Sequence, residues 1–126
     1  MDIGDCFVNK AAPRLPSHLW IVVSDPSLDA DNVLIVNATD ISNHDDHSCI
    51  LTAADHPWLK KDSCVAYQWA KNTSVASLQQ AASLGSLMMQ ARVSEDVLQR
   101  IHLVAQLSDE LKGSHRELLR KQSLID

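Results

Sequence analysis

Four of the six histidines, His18, His44, His47 and His56, fall within residues 18–56, and no lysine or arginine occurs between Arg14 and Lys60. An anion handled by this stretch must therefore meet imidazole, hydroxyls or backbone amides. Histidine serves as general base or general acid near neutral pH. Just beyond His56 the chain reads PWLKKDS at 57–63. Trp58, set in a turn, can stack on a nucleobase, a contact worth ~1–3 kcal/mol per base. Lys60 and Lys61 can hold backbone phosphates. Plainer roles stay open for all of them. Strand-end histidines bond to loop backbone, tryptophans pack in cores or interfaces, and paired lysines in a turn are commonly just solvated.

His44, His47 and Cys49, with Asp45 and Asp46 beside them, raise the question of zinc. A structural zinc site declares four ligands at recognisable spacing. A fourth ligand is missing here and Cys49 sits in an apolar run, so a solvated loop is expected and no metal. Asp46 would then bond the turn that starts the next strand. Glycines occur only at 4, 85 and 113, too scattered for a phosphate-cradling loop. GxSxG and HExxH are both absent.

The elements that must position these residues follow from period and punctuation. Short runs rich in Val and Ile, bounded by Asp, Asn, Pro or Ser, predict strands over 5–9, 18–24, 32–38, 49–52 and 63–69. The loop AAPRLPS at 11–17 carries two prolines that cannot sit inside a central strand. The polar segment 25–32 makes 18–38 a hairpin, which brings His18 and Thr39 to the same end. Helices are expected over 77–84, stopped by Gly85 in the left-handed conformation, after Ser94, and over 114–123. Ser94 is a good N-cap, followed by Glu95 and Asp96 at the positive end of the helix dipole. Val97, Leu98, Ile101, Val104 and Ala105 then form one helical face. The stretch 87–91 reads equally as helix or strand.

At 126 residues and 45% hydrophobic, the chain predicts one domain, 1–126, with a β part over 1–76 and a mainly helical part over 77–126. Strands first and helices last predicts α+β. No stretch approaches the roughly 18 consecutive apolar residues that span a bilayer. The start MDIGDCFVNK lacks a basic region, so no secretory signal is expected. Cys6, Cys49 and Cys64 are odd in number and lack CxxC spacing, which suits a reduced, cytoplasmic setting. Residues 1–92 carry ten acids and six bases, and 93–126 carry six and five. That is not the charge of a general nucleic-acid binder. The basic set Lys10, Arg14, Lys60, Lys61, Lys71 and Arg92 can still supply a local grip.

Gly4-Asp5 before a strand, HLWIVVSDP at 18–26, VLIVNATD at 33–40, DHPWLKKDSCVAY at 55–67 and VSEDVLQRI at 93–101 lie in an order and spacing that resembles the MazF/PemK/Kid family of type II toxin–antitoxin toxins. The likeness is to its divergent PemK-like branch. The resemblance implies a small, strongly curved antiparallel sheet, nearly an SH3-like barrel, with helices at its side. It further implies a homodimeric, growth-inhibiting endoribonuclease that cuts single-stranded RNA by 2′-hydroxyl attack without metal or other cofactor. An antitoxin protein would silence it by occupying the RNA groove. Thr39 matches the family's hydroxyl-bearing site residue, and His18 stands where the family has arginine. Catalysis would then fall to His18, Thr39 and His56, and substrate binding to Trp58, Lys60, Lys61 and Ser63. If His18 serves as the phosphate-side cation, activity falls as pH rises through its pKa. The alternative is a catalytically silent PemK-like barrel that binds protein or nucleic acid in a mobile-element or defence operon.

Overall fold

Three Val- and Ile-rich runs carry apolar residues on both alternating faces, so the sheet they form must be covered on both sides. The computed structural model, which describes residues 1–9 and 17–126, does this with helices. Strands β1 (Cys6–Asn9), β2 (Leu19–Val22) and β3 (Val33–Asp40) pair antiparallel, with Cys6 opposite Ile21 and Leu19 opposite Ala38. One face presents Cys6, Leu19, Ile21, Leu34 and Val36 to α2 (Glu95–Leu107) and α3 (Gly113–Lys121), which bury Val97, Ile101, Ala105 and Leu119 there. The other presents Phe7, Trp20, Val22, Val33 and Ile35 to α1 (Val75–Ser83), which buries Leu78. The result is α+β, with a sheet between two helical layers.

Four further strands complete the sheet: β4 (Ile50–Leu51), β5 (Ser63–Val65), β6 (Lys71–Thr73) and β7 (Leu87–Gln90). The sheet runs β4-β5-β3-β2-β1-β7, with β6 also on β3. β4 and β7 end this path, and no pairing among the described residues joins them into a closed barrel. A five- or six-stranded sheet is expected within residues 5 to about 76, and that range supplies β1 to β6. The ambiguous segment 87–90 is the additional strand, drawn into extended pairing because β1 has a free edge, with Phe7 opposite Met89. The mainly helical part after residue 76 thus also supplies a strand to the sheet.

The strand expected over 63–69 is shorter than its sequence suggests. It breaks after Val65 into a 3-10 turn, Tyr67–Trp69, and resumes as β6. The reason is β3, whose end at Ala38–Asp40 pairs with β5 and whose start at Val33–Ile35 pairs with β6. The turn carries the chain from one half of that edge to the other. It also drives Tyr67 into the core, where its hydroxyl donates to the Ile101 carbonyl at 2.7 Å and ties α2 to the sheet. Helix ends follow their caps. Ser94 accepts from the Val97 amide and Ser74 from that of Ser77, so α1 starts before the expected residue 77. Gly85, at φ +75°, ends α1 in the left-handed region as expected. The loop 11–17, like Lys10 and Arg14, lies outside the described residues except for Ser17. No described helix is long and apolar enough to cross a membrane.

The cysteines are free and buried. Burial pushes all three thiols up, that of Cys6 to about 12, so they stay protonated and unreactive at neutral pH. His102 was not foreseen as a core residue. It is buried on α2, and its Nε2–H donates to the Val23 carbonyl at 2.7 Å. Burial lowers its pKa below 6.5, and does the same at His18 and His115. An unfolded chain takes up these protons first, near pH 6.5. Stability is therefore fully present above that pH and is lost as pH falls through the lower folded values. Thermal melts should be level between about pH 7 and 8 and drop toward pH 5, with His102→Gln removing part of the slope. A flat profile down to pH 5 would contradict this burial.

Candidate functional site

An open cleft of ≈ 680 Å³ lies where the C-terminal end of β3 meets the approach to β2 and the connection from β4 to β5. Along β3, side chains at alternate positions share a face, and the cleft receives Ala38 and Asp40. Ser17 and His18 line it from the start of β2, and Ser63, opposite Asp40, from β5. Pro57, Trp58, Lys60 and Lys61 form a wall, with Gln90 of β7 also on the cleft. Five of the seven residues expected to act together, His18, Trp58, Lys60, Lys61 and Ser63, thus converge on one concavity.

The other two do not join them. The hairpin register carries His18 to the end of the sheet that holds Thr39, as the turn at 25–32 implied. Thr39, however, sits between Ala38 and Asp40 and therefore points to the opposite face. It is buried, and its hydroxyl donates to Asn37 Oδ1 at 2.6 Å. His56 is also buried and committed to backbone: Nε2–H donates to the Ala91 carbonyl at 2.6 Å and Nδ1 accepts the Trp58 amide at 3.0 Å. With both ring nitrogens engaged, it has none free for a substrate. Its position makes it a brace between the turn that carries Trp58 and the segment just after Gln90.

That turn is held at further points. Asp55 Oδ2 accepts the Thr52 amide at 2.8 Å, and Oδ1 meets Arg100 of α2. Leu59 is buried in the main core and Trp58 packs partly against it. Lys60 and Lys61 are exposed beside it. Lys61 lies 3.9 Å from Asp40, with 79% of its side chain exposed. Such a pair on the surface holds weakly and releases readily. The Ser42 amide and hydroxyl, and then Lys61, hold the Asp40 carboxyl below its usual range. His18 is half-buried, and desolvation lowers its pKa. Desolvation thus disfavours the cation that would replace an arginine.

Of the other expected basic residues, the described Lys71 and Arg92 do not gather here. Lys71 lies over the Trp20 ring on the α1 side of the sheet, 5.1 Å from its centroid. Arg92 bonds the Ile3 carbonyl and pairs with Asp5. In the 42–48 loop, Asp46 accepts from the Ser48 amide and hydroxyl, making the turn expected of it, and His47 Nε2 faces the Ile41 and His44 carbonyls. Among the described residues no three His, Cys, Asp or Glu side chains come together as a metal set. Asp40 is the charged cleft residue that sequence reasoning missed. Its place at the polar end of the strand was legible, but the face it takes was not, because both alternating sets of β3 are apolar.

No protein-family model matches this sequence, and no curated protein matches it. The likeness to MazF and PemK toxins thus rests on the motifs themselves, and the site on its own geometry.

Proposed function

We propose that the cleft binds single-stranded RNA, and that the chain is a divergent protein of the MazF/PemK/Kid type with the curvature of an SH3-like barrel. One observation carries the reading: Trp58, Lys60, Lys61, Ser63 and His18 share one open cleft. An aromatic face for a base, ammonium groups for phosphates and a hydroxyl for the backbone are what a single strand requires. The use of one β3 edge by both β5 and β6 supports the curvature. The half-exposed Met88 and Met89 on the outermost strand β7 would supply apolar surface for pairing two copies.

Metal-independent cleavage by 2′-hydroxyl attack is a second and stronger form of this reading. The lowered pKa of His18 favours it, because a general base must be unprotonated to act. Thr39 and His56, facing elsewhere, favour the silent binding form instead, since cleavage also needs an acid for the leaving oxygen. Growth inhibition and silencing by an antitoxin belong to the cleaving form alone.

Fluorescence anisotropy with a short labelled RNA, single-stranded and duplex, tests the binding. The single strand should bind with salt-dependent affinity and the duplex far more weakly. RNA incubated with the protein and EDTA separates the two forms. Cleavage to 2′,3′-cyclic phosphate ends, abolished in His18→Ala, supports a nuclease, and its rate should then rise with pH through the lowered His18 pKa. RNA that is bound and left intact supports a binding module. Failure to bind any RNA overturns the proposal.

A further inference from the structure

We propose that Asp40 makes this cleft selective for bases bearing an exocyclic amine (cytosine, adenine or guanine) over uracil; the inference rests on the single-stranded RNA reading. Asp40 is the one carboxylate lining the cleft among the described residues. A carboxylate repels phosphate, so in a groove for a polyanion it is useful only toward hydrogen-bond donors. Its two oxygens are not equivalent. Oδ1 accepts the Ser42 amide at 3.0 Å and the Ser42 hydroxyl at 2.9 Å, which fixes the orientation of the group. Oδ2 is left facing Lys61 at 3.9 Å, beyond hydrogen-bond distance. Lys61, mostly exposed, can swing to a backbone phosphate and leave Oδ2 as an open acceptor.

The amines of cytosine, adenine and guanine can each place an N–H on such an acceptor. Uracil offers a single N3–H between two carbonyl oxygens, both of which face repulsion from the carboxylate. A base stacked on Trp58 would present its edge within the same cleft. The free acceptor, the clamp on its partner oxygen and the aromatic wall together make Asp40 a specificity-determining residue rather than only the cap of the turn at 41–43.

Affinities for oligocytidylate and oligouridylate of equal length, measured for the wild type and for Asp40→Asn, test this. Wild type should favour cytidine about tenfold, the scale of one charge-assisted hydrogen bond. Asp40→Asn keeps an oxygen for Ser42 and so should melt like the wild type. It turns an amide donor toward the base, so the preference should vanish or invert toward uridine. Equal wild-type affinities, or an unchanged preference in Asp40→Asn, would overturn the selectivity and leave RNA binding standing. Failure of wild type to bind either strand would remove the RNA reading, and this inference with it.

Discussion

Replacing His56 with alanine is expected to cost about 2–4 kcal/mol of stability, combining a buried cavity with two orphaned backbone groups. The amide of the half-buried Trp58 and the carbonyl of the exposed Ala91 would each lose the buried imidazole as partner. For a domain of this size the melting temperature should fall by roughly 10 °C. Graded replacements locate the cause. His56→Asn places an acceptor near Nδ1 and should recover part of the loss through Trp58, while His56→Gln places a donor near Nε2 and should recover part through Ala91. Under conditions where His56→Ala is still folded, its RNA affinity should fall only as far as the Trp58 wall loosens. A His56→Ala protein as stable as wild type but unable to cut RNA would return this residue to catalysis.

Loss of Trp58 should produce the largest change in binding. Stacking on an aromatic is worth ~1–3 kcal/mol per base, so Trp58→Ala should weaken single-stranded RNA binding by roughly 5- to 150-fold. Trp58→Phe, which keeps a ring face, should retain most of the affinity. Lys60→Ala with Lys61→Ala acts through a different term. Each phosphate contact removed lowers the slope of log affinity against log salt by about 0.7 for a single strand, so the double variant should flatten that slope by about 1.4 without changing base preference. Titrations at several salt concentrations would separate the two effects. A Trp58→Ala protein that binds like wild type would move the strand off this wall.

Residue type and spacing do not fix what a histidine does, and His102 shows the reason. His102 lies on α2 at the edge of its apolar face, four residues after Leu98 and three before Ala105, and the period alone leaves its role open. Its partner, the Val23 carbonyl, is an unpaired strand-end group 79 residues earlier. His56 likewise finds Ala91 at a separation of 35 residues. Imidazole can be proton shuttle or brace, and its partners decide which.

Local chemistry determined a good deal of this protein. Alternating Val and Ile with a polar turn at 25–32 suffices for the β2–β3 hairpin. Ser94 followed by acids suffices to start α2, and Gly85 to end α1, because each feature acts within a few residues of itself. The turn 57–63 also announced its cluster of aromatic, basic and hydroxyl groups. Tertiary structure alone decided the rest. On β3 both alternating sets, Leu34-Val36-Ala38 and Val33-Ile35, are apolar, so the sequence has no means of saying which face Thr39 or Asp40 would take. Only helices packed on both sides turn Asp40 into the cleft and Thr39 away from it. The fate of 87–90 was equally remote, set by the open edge of a strand 80 residues earlier. The contacts that make a site join distant segments, and a local pattern does not encode them.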